Sequence, residues 1–391
     1  MGKYDVGGVS LDRPFKVRRL GHVGLFLDDL PAARRFYSDD LGFGVTDVLS
    51  FTPGETQGYF MSNNADHHAV VCIDGAVGRM GGDAYDNGLT VNQISFQVNS
   101  LEEVVNGHKF LVEHDIPIWR IGRDSPGSNW ACYGIDPDGF AVEFYYGMEQ
   151  IGWNGRSKPY PLRCDALDEP PTLPQPSEAD EVLAGESREV DMSSGHSWLR
   201  PSDAAYTLGG VHSPLPHRIS RVGPVHLFVK DIDKSIDFYT RLLGLELTET
   251  AEYAGYRAAF LRLGSDHHVV GLFEAGLREA LGYSQATLLA HLGFEVSTYR
   301  QLRDASAYLT AKGWAEAPPV PRDLLPGIGY AKAFLDPLGH AVLLYFGMEQ
   351  IGWDGRPRPA ADRPDLSGPW PETLADSAGA YTEPTRQGPW A

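Results

Sequence analysis

The fold is decided by an 18-residue stretch that occurs twice in the chain. Residues 136–153 read DPDGFAVEFYYGMEQIGW, and residues 336–353 read DPLGHAVLLYFGMEQIGW. Two shorter matches are collinear with it, namely DHH at 66–68 and 266–268, and the segments 25–42 and 227–244. An internal repeat on this scale, in a chain of 391 residues, indicates a duplicated domain rather than one large core.

Each repeat divides into two units of similar pattern. Residues 20–27 alternate like a strand, and Asp28 or Asp29 can cap a following helix that ends before Gly42. The pattern then restarts with a second strand and a second helix. The strands are predicted at 20–27, 44–51, 58–62, 69–73, 93–99, 118–123, 130–135 and 140–146, and the later helices at 101–114, 232–243 and 299–312. Each repeat therefore contains two βαβββ units.

The two repeats are joined and followed by segments without sustained periodicity. Trp198, Trp370 and Trp390 in these segments indicate that parts of them dock, either on a domain surface or on a neighbouring subunit, so we expect a homo-oligomer. The predicted organisation is a first domain at 18–150, an irregular Pro-rich linker at 151–217, a second domain at 218–350 and a C-terminal arm at 351–391.

Composition narrows the function classes. The formal net charge of −19 repels phosphate backbones and anionic lipids, so neither a nucleic acid nor a membrane is an expected partner. No stretch approaches a membrane-spanning helix, and the first residues lack the apolar core of a signal peptide, so we expect a cytoplasmic protein. Cys72, Cys132 and Cys164 are widely spaced and indicate small thiols rather than a disulfide framework.

Paired βαβββ units that end in Asp-Pro-x-Gly-x-x-x-Glu-x-Tyr resemble the vicinal-oxygen-chelate superfamily. The resemblance implies an α+β fold in which tandem βαβββ modules form two half-open barrel domains, each able to curve around one metal. The two-domain arrangement is similar to that of the type I extradiol, or catechol 2,3-dioxygenase-like, ring-cleaving dioxygenases. The segment NNADHHAV at 63–70 resembles a motif that is more specific to those dioxygenases than the fold is.

The resemblance implies three metal ligands in the first repeat, at His22, Gln93 and Glu143. Gln93 departs from the family pattern, where histidine is expected. Its amide could bind the metal through oxygen, or it could hydrogen-bond a water that takes the coordination position. Glu143 lies in an apolar strand, where an unpaired carboxylate costs several kcal/mol, so either a metal or an arginine partner is expected.

The second repeat departs further from the family pattern. The three ligand positions there are Pro224, His291 and Leu343, and leucine cannot bind a metal. His226 lies two residues beyond Pro224 on the same side of the strand, so His226, His268 and His291 form an alternative metal site. We expect the working site in the first repeat.

Other functional positions are also implied by the resemblance. His68 matches the family's acid–base histidine, and Tyr133 matches a tyrosine that hydrogen-bonds the substrate, whereas the second repeat has Ala333 there. Because the DHH segment occurs in both repeats, a structural role at the barrel mouth is an alternative for His68, and GMEQIGW is interpreted as structural. The expected barrel-lining, substrate-binding side chains are Phe26, Phe96 and Tyr145.

The resulting hypothesis is a non-haem iron(II) dioxygenase that opens a small aromatic vicinal diol with O₂. One alternative keeps the fold and a divalent metal such as Mn, Ni or Zn, but performs glyoxalase-like isomerase or lyase chemistry. Another is a metal-free protein that binds small molecules. The first requires iron and O₂ consumption, the second a metal without O₂, and the third neither.

Overall fold

The computed structural model describes residues 3–52, 54–123, 126–152, 154–162, 169–198, 203–363 and 369–374. Cys164, Trp390 and the Trp153 copy of the repeated tryptophan lie outside the described residues. Within them, the two repeats form two sheet-dominated domains joined by a linker that contains a helix. The predicted α+β architecture of tandem βαβββ modules is confirmed.

The first domain is built on one eight-stranded sheet of order β4-β5-β6-β3-β7-β10-β9-β8, preceded by a small hairpin of β1 and β2. Its centre is the pairing of β3 with β7, the first strands of the two units. The strands are β1 Tyr4–Val6, β2 Val9–Leu11, β3 Arg19–Leu27, β4 Gly44–Leu49, β5 Gly58–Ser62, β6 Val70–Asp74, β7 Val91–Gln97, β8 Ile118–Arg123, β9 Trp130–Ile135 and β10 Ala141–Tyr146.

The second domain repeats this sheet with seven strands, in the order β14-β15-β16-β13-β17-β19-β18. The strands are β11 Tyr206–Leu208, β12 Val211–Ser213, β13 Ile219–Val229, β14 Glu246–Tyr253, β15 Tyr256–Arg262, β16 Val270–Glu274, β17 Leu289–Val296, β18 Ile328–Leu335 and β19 Ala341–Met348. The counterpart of β8 is reduced to one bridge between Glu316 and Phe334. Prolines at 318, 319 and 321 explain this loss, because proline cannot donate to a strand ladder.

Among the described residues, six of the seven helices begin at a side-chain cap, and the helix that follows Ala275 does not. Asp29 rather than Asp28 caps the first helix by accepting from the Ala32 amide. The helices are α1 Leu30–Arg34, α2 Gly75–Arg79, α3 Leu101–Glu113, α4 Glu178–Ser187, α5 Ile232–Asp237, α6 Gly276–Ala280 and α7 Tyr299–Ala311. Wider π-helical turns at Arg35–Asp40 and Phe238–Leu242 extend α1 and α5. Among the described residues, no helix is long and apolar enough to cross a membrane.

The duplication begins earlier than the predicted second-domain boundary. The hairpin of β11 and β12 carries YTLGGVH at 206–212, which repeats YDVGGVS at 4–10 in the hairpin of β1 and β2. The segments that follow the hairpins cross between domains. The Arg13 guanidinium packs over Gly244, and the Leu215 side chain packs over Gly42. This reciprocal exchange ties the two domains together at their first helices.

Two buried hydrogen bonds, one donated by each domain, also join the domains. Tyr37 donates to Asp336 of the second domain at 2.9 Å, and Tyr239 donates to Asp136 of the first domain at 3.0 Å. Both aspartates start the repeated DP-x-G turn before the last strand. One continuous apolar core includes residues of both domains, so the two halves are a single packing unit.

Two tryptophans outside the repeats dock on this chain itself. A Cβ atom added at Gly44 would lie 1.8 Å from the Trp198 ring, so glycine permits that contact. Trp370 packs against Tyr330 with ring centroids 5.5 Å apart, and Tyr299 donates to the neighbouring Pro371 carbonyl at 2.5 Å. These tryptophans therefore give no argument for a neighbouring subunit, and the homo-oligomer stays a prediction.

The linker helix α4 docks on the first domain through charged groups. Glu181 accepts from Arg123 at 3.1 Å and from Lys158 at 3.0 Å, and both cationic side chains are almost fully buried. Arg123 ends β8 and also donates to the Ser128 carbonyl at 2.8 Å. The linker is thus anchored beside the loop that enters β9, rather than being irregular throughout.

We predict a pH-dependent stability from the buried Asp136. Burial raises the pKa of its carboxyl group to about 7, from 3.8 in the unfolded chain. The contribution of Asp136 to the free energy of unfolding is most favourable below the pKa of the unfolded chain. It is lost as the pH rises from about 4 to about 7, because ionisation of the buried carboxyl group opposes folding. Asp136→Asn, which cannot ionise, should raise the free energy of unfolding at pH 8 by about 1–3 kcal/mol.

Urea denaturation at pH 4 and pH 8 measures this difference, which should vanish at the lower pH. The matched control is Asp336→Asn, which puts an amide NH₂ group where the carboxylate oxygen faces the His340 imidazole at 2.8 Å and accepts from Tyr37, and should lower stability at pH 8. An Asp136→Asn effect of equal size at both pH values would contradict the prediction.

Candidate metal centre in the first domain

His22 and Glu143 meet on the concave face of the first sheet. Both β3 and β10 pair with β7, and in both pairings the residue opposite is Ser95. The two side chains therefore flank Ser95 on the same face of the sheet. His22 Nε2 lies 2.8 Å from Glu143 Oε2, and both side chains are fully buried.

Gln93 completes this group because it lies two residues before Ser95 and points to the same face. Its Nε2 atom lies 2.9 Å from His22 Nε2 and 3.2 Å from Glu143 Oε2. Three polar side chains from three adjacent strands thus converge on one point. The structure brings together the three residues that the sequence proposes as ligands.

The distances within this group fit a divalent cation. Ligands at right angles and about 2.1 Å from an ion are about 3 Å apart, which is the spacing between these atoms. Turning the Gln93 amide by 180° exchanges its nitrogen and oxygen without steric change, so the oxygen can face the ion. A metal site with three protein ligands would require Gln93 here, because the described residues contain no group of three or more His, Cys, Asp or Glu arranged to hold a metal.

The buried Glu143 carboxylate is stabilised by neutral donors. Ser95 Oγ donates to Oε2, and Asn129 Nδ2 donates to Oε1 at 2.8 Å. Among the described residues, no arginine contacts this carboxylate, so the arginine alternative has no support from them. Both carboxylate oxygens thus contact neutral donors.

Two further polar atoms lie unpaired near this group. Asn129 Oδ1 and the Tyr145 hydroxyl oxygen are buried and have no hydrogen-bond partner among the described residues. Buried polar atoms usually have partners. These two atoms are thus additional groups that a ligand at the centre could use.

His68 stands beside the ligand group. Its ring meets the His22 ring edge-on with centroids 4.3 Å apart, and the Phe60 ring lies 5.1 Å away. Gly127, with φ +100°, closes over His68, where a Cβ atom would lie 2.9 Å from its Cε1. Burial, reinforced by His22 and His67, holds the pKa of His68 well below its usual range. The neutral form of the His68 imidazole, which carries one lone pair, is thereby favoured.

The GMEQ part of the repeated stretch holds the two adjacent histidines. The His67 amide donates to the Glu149 carbonyl at 2.9 Å, and Gln150 donates to Asp66 at 2.8 Å. The second copy repeats both bonds at 2.8 Å, between His267 and Glu349 and between Gln350 and Asp266. These contacts agree with the structural interpretation of GMEQ, since they fix the backbone from which the histidines project.

Tyr133 and Tyr145 lie on the same face as the ligand group. Tyr133 is directly opposite Glu143 in the pairing of β9 with β10, and its ring packs 5.3 Å from Trp119. The Tyr145 ring lies 4.9 Å from His22. Both tyrosines are buried and belong to one small apolar cluster.

The two phenylalanines predicted to line the barrel lie on different faces. Phe26 is half-buried on the concave face, where it packs with Phe60 and Ile73. Phe96 is opposite Phe144 and lies in the core between sheet and helices. The barrel-lining interpretation of Phe96 is wrong, because Phe96 is one residue from Ser95 and side chains alternate along a strand.

In the second domain, the corresponding positions are filled by side chains that do not converge. Leu343 and Gly293 are opposite each other where the first domain has Glu143 and Ser95. His226 is opposite His291 in the sheet, in the place that Gly24 takes opposite Gln93. Gly24 has no side chain, and a Cβ atom there would lie 3.0 Å from Gln93 Cγ, so the His226 imidazole has no counterpart in the first domain.

The alternative metal site of His226, His268 and His291 is arranged as a chain. His226 Nε2 lies 2.9 Å from His268 Nε2, and His226 Nδ1 lies 2.9 Å from His291 Nδ1. Tyr283 continues the chain at 2.7 Å from His291 Nε2. Burial lowers the pKa of His291 to about 3 and those of His226 and His268 well below their usual range. The three residues are close together, but their nitrogens face one another and do not surround a common point.

Sequence reasoning missed three residues of the first-domain site. Ser95 could have been found, because it lies two residues after Gln93 and must share its face. Gly24 could have been found by comparing it with His226, since the two occupy matching places in the strand. Asn129 precedes β9 in a loop, and no pattern in the sequence marks it.

Comparison with known proteins identifies the family. A sequence model of the Glyoxalase/Bleomycin resistance protein/Dioxygenase superfamily matches residues 19–144 and again residues 219–344. The chain is 29% identical over 136 residues to 3-methylcatechol 2,3-dioxygenase of Pseudomonas putida, covering 34% of this chain and 43% of that protein. It is 28% identical over 163 residues to catechol-2,3-dioxygenase of Bacillus subtilis, covering 41% and 44%. The matched segments thus span less than half the length of these relatives.

Solved structures show the same fold over most of the chain. Homoprotocatechuate 2,3-dioxygenase from Arthrobacter globiformis has a TM-score of 0.55 at 18% identity, covering 88% of this chain and 84% of that chain. The Mn(II)-bound glyoxalase from Novosphingobium aromaticivorans has a TM-score of 0.55 at 14% identity, covering 87% and 85%. Because the family match covers more than half of the 391 residues in two blocks, the chain belongs to the Glyoxalase/Bleomycin resistance protein/Dioxygenase superfamily.

Proposed function

We propose that the chain is an iron(II)-dependent extradiol dioxygenase, which opens a catechol-like ring with O₂ in its first domain. The observation that carries the proposal is the convergence of His22, Gln93 and Glu143, with interatomic distances of 2.8, 2.9 and 3.2 Å. The His22 nitrogen, the Gln93 amide oxygen and the Glu143 carboxylate would hold the ion from one side. Positions on its other side would stay open. Open positions are what a bidentate aromatic diol and O₂ require.

The names of the relatives support the same class of chemistry. Both curated relatives described above are dioxygenases of catechols by name, and so is the structural neighbour from Arthrobacter globiformis. Iron(II), when bound, would supply the redox chemistry through which O₂ reacts with an aromatic diol. We extend this chemistry to the present chain because its first domain retains the ligand group and the neighbouring His68.

The protein's own groups would bind the ion, set its charge and move a proton. Glu143 would contribute the carboxylate, whose two oxygens accept hydrogen bonds from Ser95 and Asn129. His68 is adjacent to His22, and its lone pair would accept a proton from a substrate hydroxyl and return it to the product. Tyr133, opposite Glu143, would orient the substrate. Full burial of His22 and Glu143 excludes water from the reacting groups.

The second candidate function is glyoxalase-like isomerase or lyase chemistry with a divalent metal. The observation that favours it is Gln93, since an imidazole, an amide oxygen and a carboxylate suit hard divalent ions as well as iron. A Mn(II)-bound glyoxalase is also among the structural neighbours. In this reaction Glu143 or His68 would move a proton between carbon atoms, and O₂ would not be consumed.

We predict that Gln93 is a true metal ligand. Gln93→Ala should weaken the binding of Mn²⁺, used as an oxygen-stable probe, by at least the 10–100-fold that loss of an outer-shell partner causes. Isothermal titration calorimetry of the metal-free chain measures the affinity. His291→Ala, at the matching position of the second domain, is the control and should leave the affinity unchanged. An unchanged affinity in Gln93→Ala would mean that Gln93 does not bind the ion.

We also predict that ring cleavage depends on the metal-site residues of the first domain and not on those of the second. Protein purified without oxygen should contain about one iron per chain and consume O₂ with a panel of catechols. Glu143→Ala should abolish uptake, because it removes the only anionic ligand, and His291→Ala should retain it. Activity that survives Glu143→Ala and is lost in His291→Ala would move the site to the second domain. Stoichiometric metal without O₂ uptake on any catechol would favour the isomerase alternative.

A further inference from the structure

The histidine that would move the proton is linked to a buried carboxylate through its neighbour. His68 Nδ1 lies 3.0 Å from His67 Nδ1, and His67 Nε2 lies 3.4 Å from Asp47 Oδ2. All three side chains are buried. The arrangement is a line of carboxylate, imidazole and imidazole that begins in β4 and ends beside His22.

The second domain contains the same line with a longer carboxylate. His268 Nδ1 lies 3.0 Å from His267 Nδ1, and His267 Nε2 lies 3.7 Å from Glu249 Oε1. The Glu249 carboxylate also accepts two hydrogen bonds from Arg363, and its distance to His267 exceeds that of a hydrogen bond. The contact between the two imidazoles is therefore kept in both copies, whereas the carboxylate lies closer to the histidine in the first domain.

An irregularity in the edge strand aims the carboxylate at the histidine. A register shift between Val45 and Asp47 marks a bulge in β4, and a register shift between Leu247 and Glu249 marks the same bulge in β14. Bulges re-aim side chains that a regular strand would direct elsewhere. The residue between, Thr46, donates to the His67 carbonyl at 2.5 Å and fixes the strand against the histidine pair.

The carboxylate selects one protonation pattern along the line. A neutral imidazole carries one N–H and one lone pair. Beside the Asp47 carboxylate, His67 is most stable with its proton on Nε2, which leaves Nδ1 as an acceptor. His68 must then carry its proton on Nδ1 and donate it to His67. The lone pair of His68 is thus placed on Nε2.

The second domain shows where this Nε2 atom faces. His268 Nε2 points at His226 Nε2 across 2.9 Å, and His226 takes the place that Gly24 has in the first domain. In the first domain, the matching direction leads from His68 toward Gly24, where the Gln93 side chain of the ligand group lies 3.0 Å from the position of a Cβ atom. The lone pair that Asp47 selects is therefore the one that faces the reacting groups.

We propose that Asp47 and His67 are positioning residues that hold His68 in its Nδ1–H tautomer, with Nε2 free to accept the substrate proton. The proposal deepens the proposed function, because it takes His68 as the acid–base group of the first-domain site. The His67 backbone is held separately by Glu149, so the ring of His67 is the part that the Asp47 carboxylate orients.

Asp47→Asn gives a direct test because its effect on the tautomer can be stated in advance. Asp47 Oδ1 accepts from the Val48 amide at 2.9 Å, so the amide oxygen of the variant keeps that bond and its NH₂ group faces His67. The NH₂ group donates to His67 Nε2, which moves the His67 proton to Nδ1. His68 must then accept at Nδ1 and carry its own proton on Nε2, where no lone pair remains for the substrate.

Nitrogen-15 NMR of the metal-free chain, labelled in its histidines, reads the tautomers without any turnover. The His68 signals are assigned by their loss in His68→Gln. We expect the Nδ1–H pattern in the wild type and in Asp47→Glu, since the second domain uses glutamate here, and the Nε2–H pattern in Asp47→Asn. An Nε2–H pattern in the wild type, or no change in Asp47→Asn, would overturn the proposal whether or not the chain cleaves catechols.

Kinetics of the iron-loaded chain with catechol and O₂ provide the second readout. Asp47→Asn should lower kcat by about 10–100-fold and leave KM nearly unchanged, because it alters the proton acceptor and not substrate binding. Asp47→Glu should restore most of the rate. Glu249→Gln, the matched change in the second domain, should leave both parameters unchanged. An equal loss in Asp47→Asn and Asp47→Glu would point to a structural role and contradict the proposal.

Discussion

A carboxylate with no solvent exposure, set in the middle of an apolar strand, is the constraint on which the first domain depends. The two oxygens of Glu143 are surrounded by donors, with Ser95 and Gln93 at one oxygen and Asn129, from the loop before β9, at the other. Burying a carboxylate without such partners would cost several kcal/mol.

Comparing the copies shows what happens when that constraint is removed. The second domain has Leu343 in place of Glu143, so no charge remains to hold a cation there. His226 lies beside that position and satisfies its two nitrogens with His268 and His291. The helix extensions and the GMEQ contacts are the same in both copies, although the second sheet has one strand fewer. The duplication thus separates the requirements of folding, which both copies meet, from those of the site, which one copy meets.

The exchange of contacts between the domains makes the stability of each depend on the other. The tyrosine of each first helix donates to the aspartate turn of the other domain, and the two cores are continuous. The first domain would expose part of its core without its partner. A degenerate domain can therefore remain essential to the stability of the working one.

Much of this could be predicted from the sequence, because the decisive features repeat. Strand alternation and helix caps predicted the βαβββ units, and the resemblance to a known family predicted that His22, Gln93, Glu143 and His68 lie together. Phe96 was misplaced because it was chosen by residue type, whereas its distance of one residue from Ser95 assigns it to the core. Asp47 carried no signal, because a bulge redirects it toward His67 and bulges leave no regular pattern.

The most direct test of a single site in the first domain is anomalous X-ray diffraction at the iron edge, from crystals of the chain reconstituted with iron(II) under anaerobic conditions. A single site in the first domain predicts one strong anomalous peak per chain, within bonding distance of His22, Gln93 and Glu143. A peak among His226, His268 and His291, with none at Glu143, would contradict it.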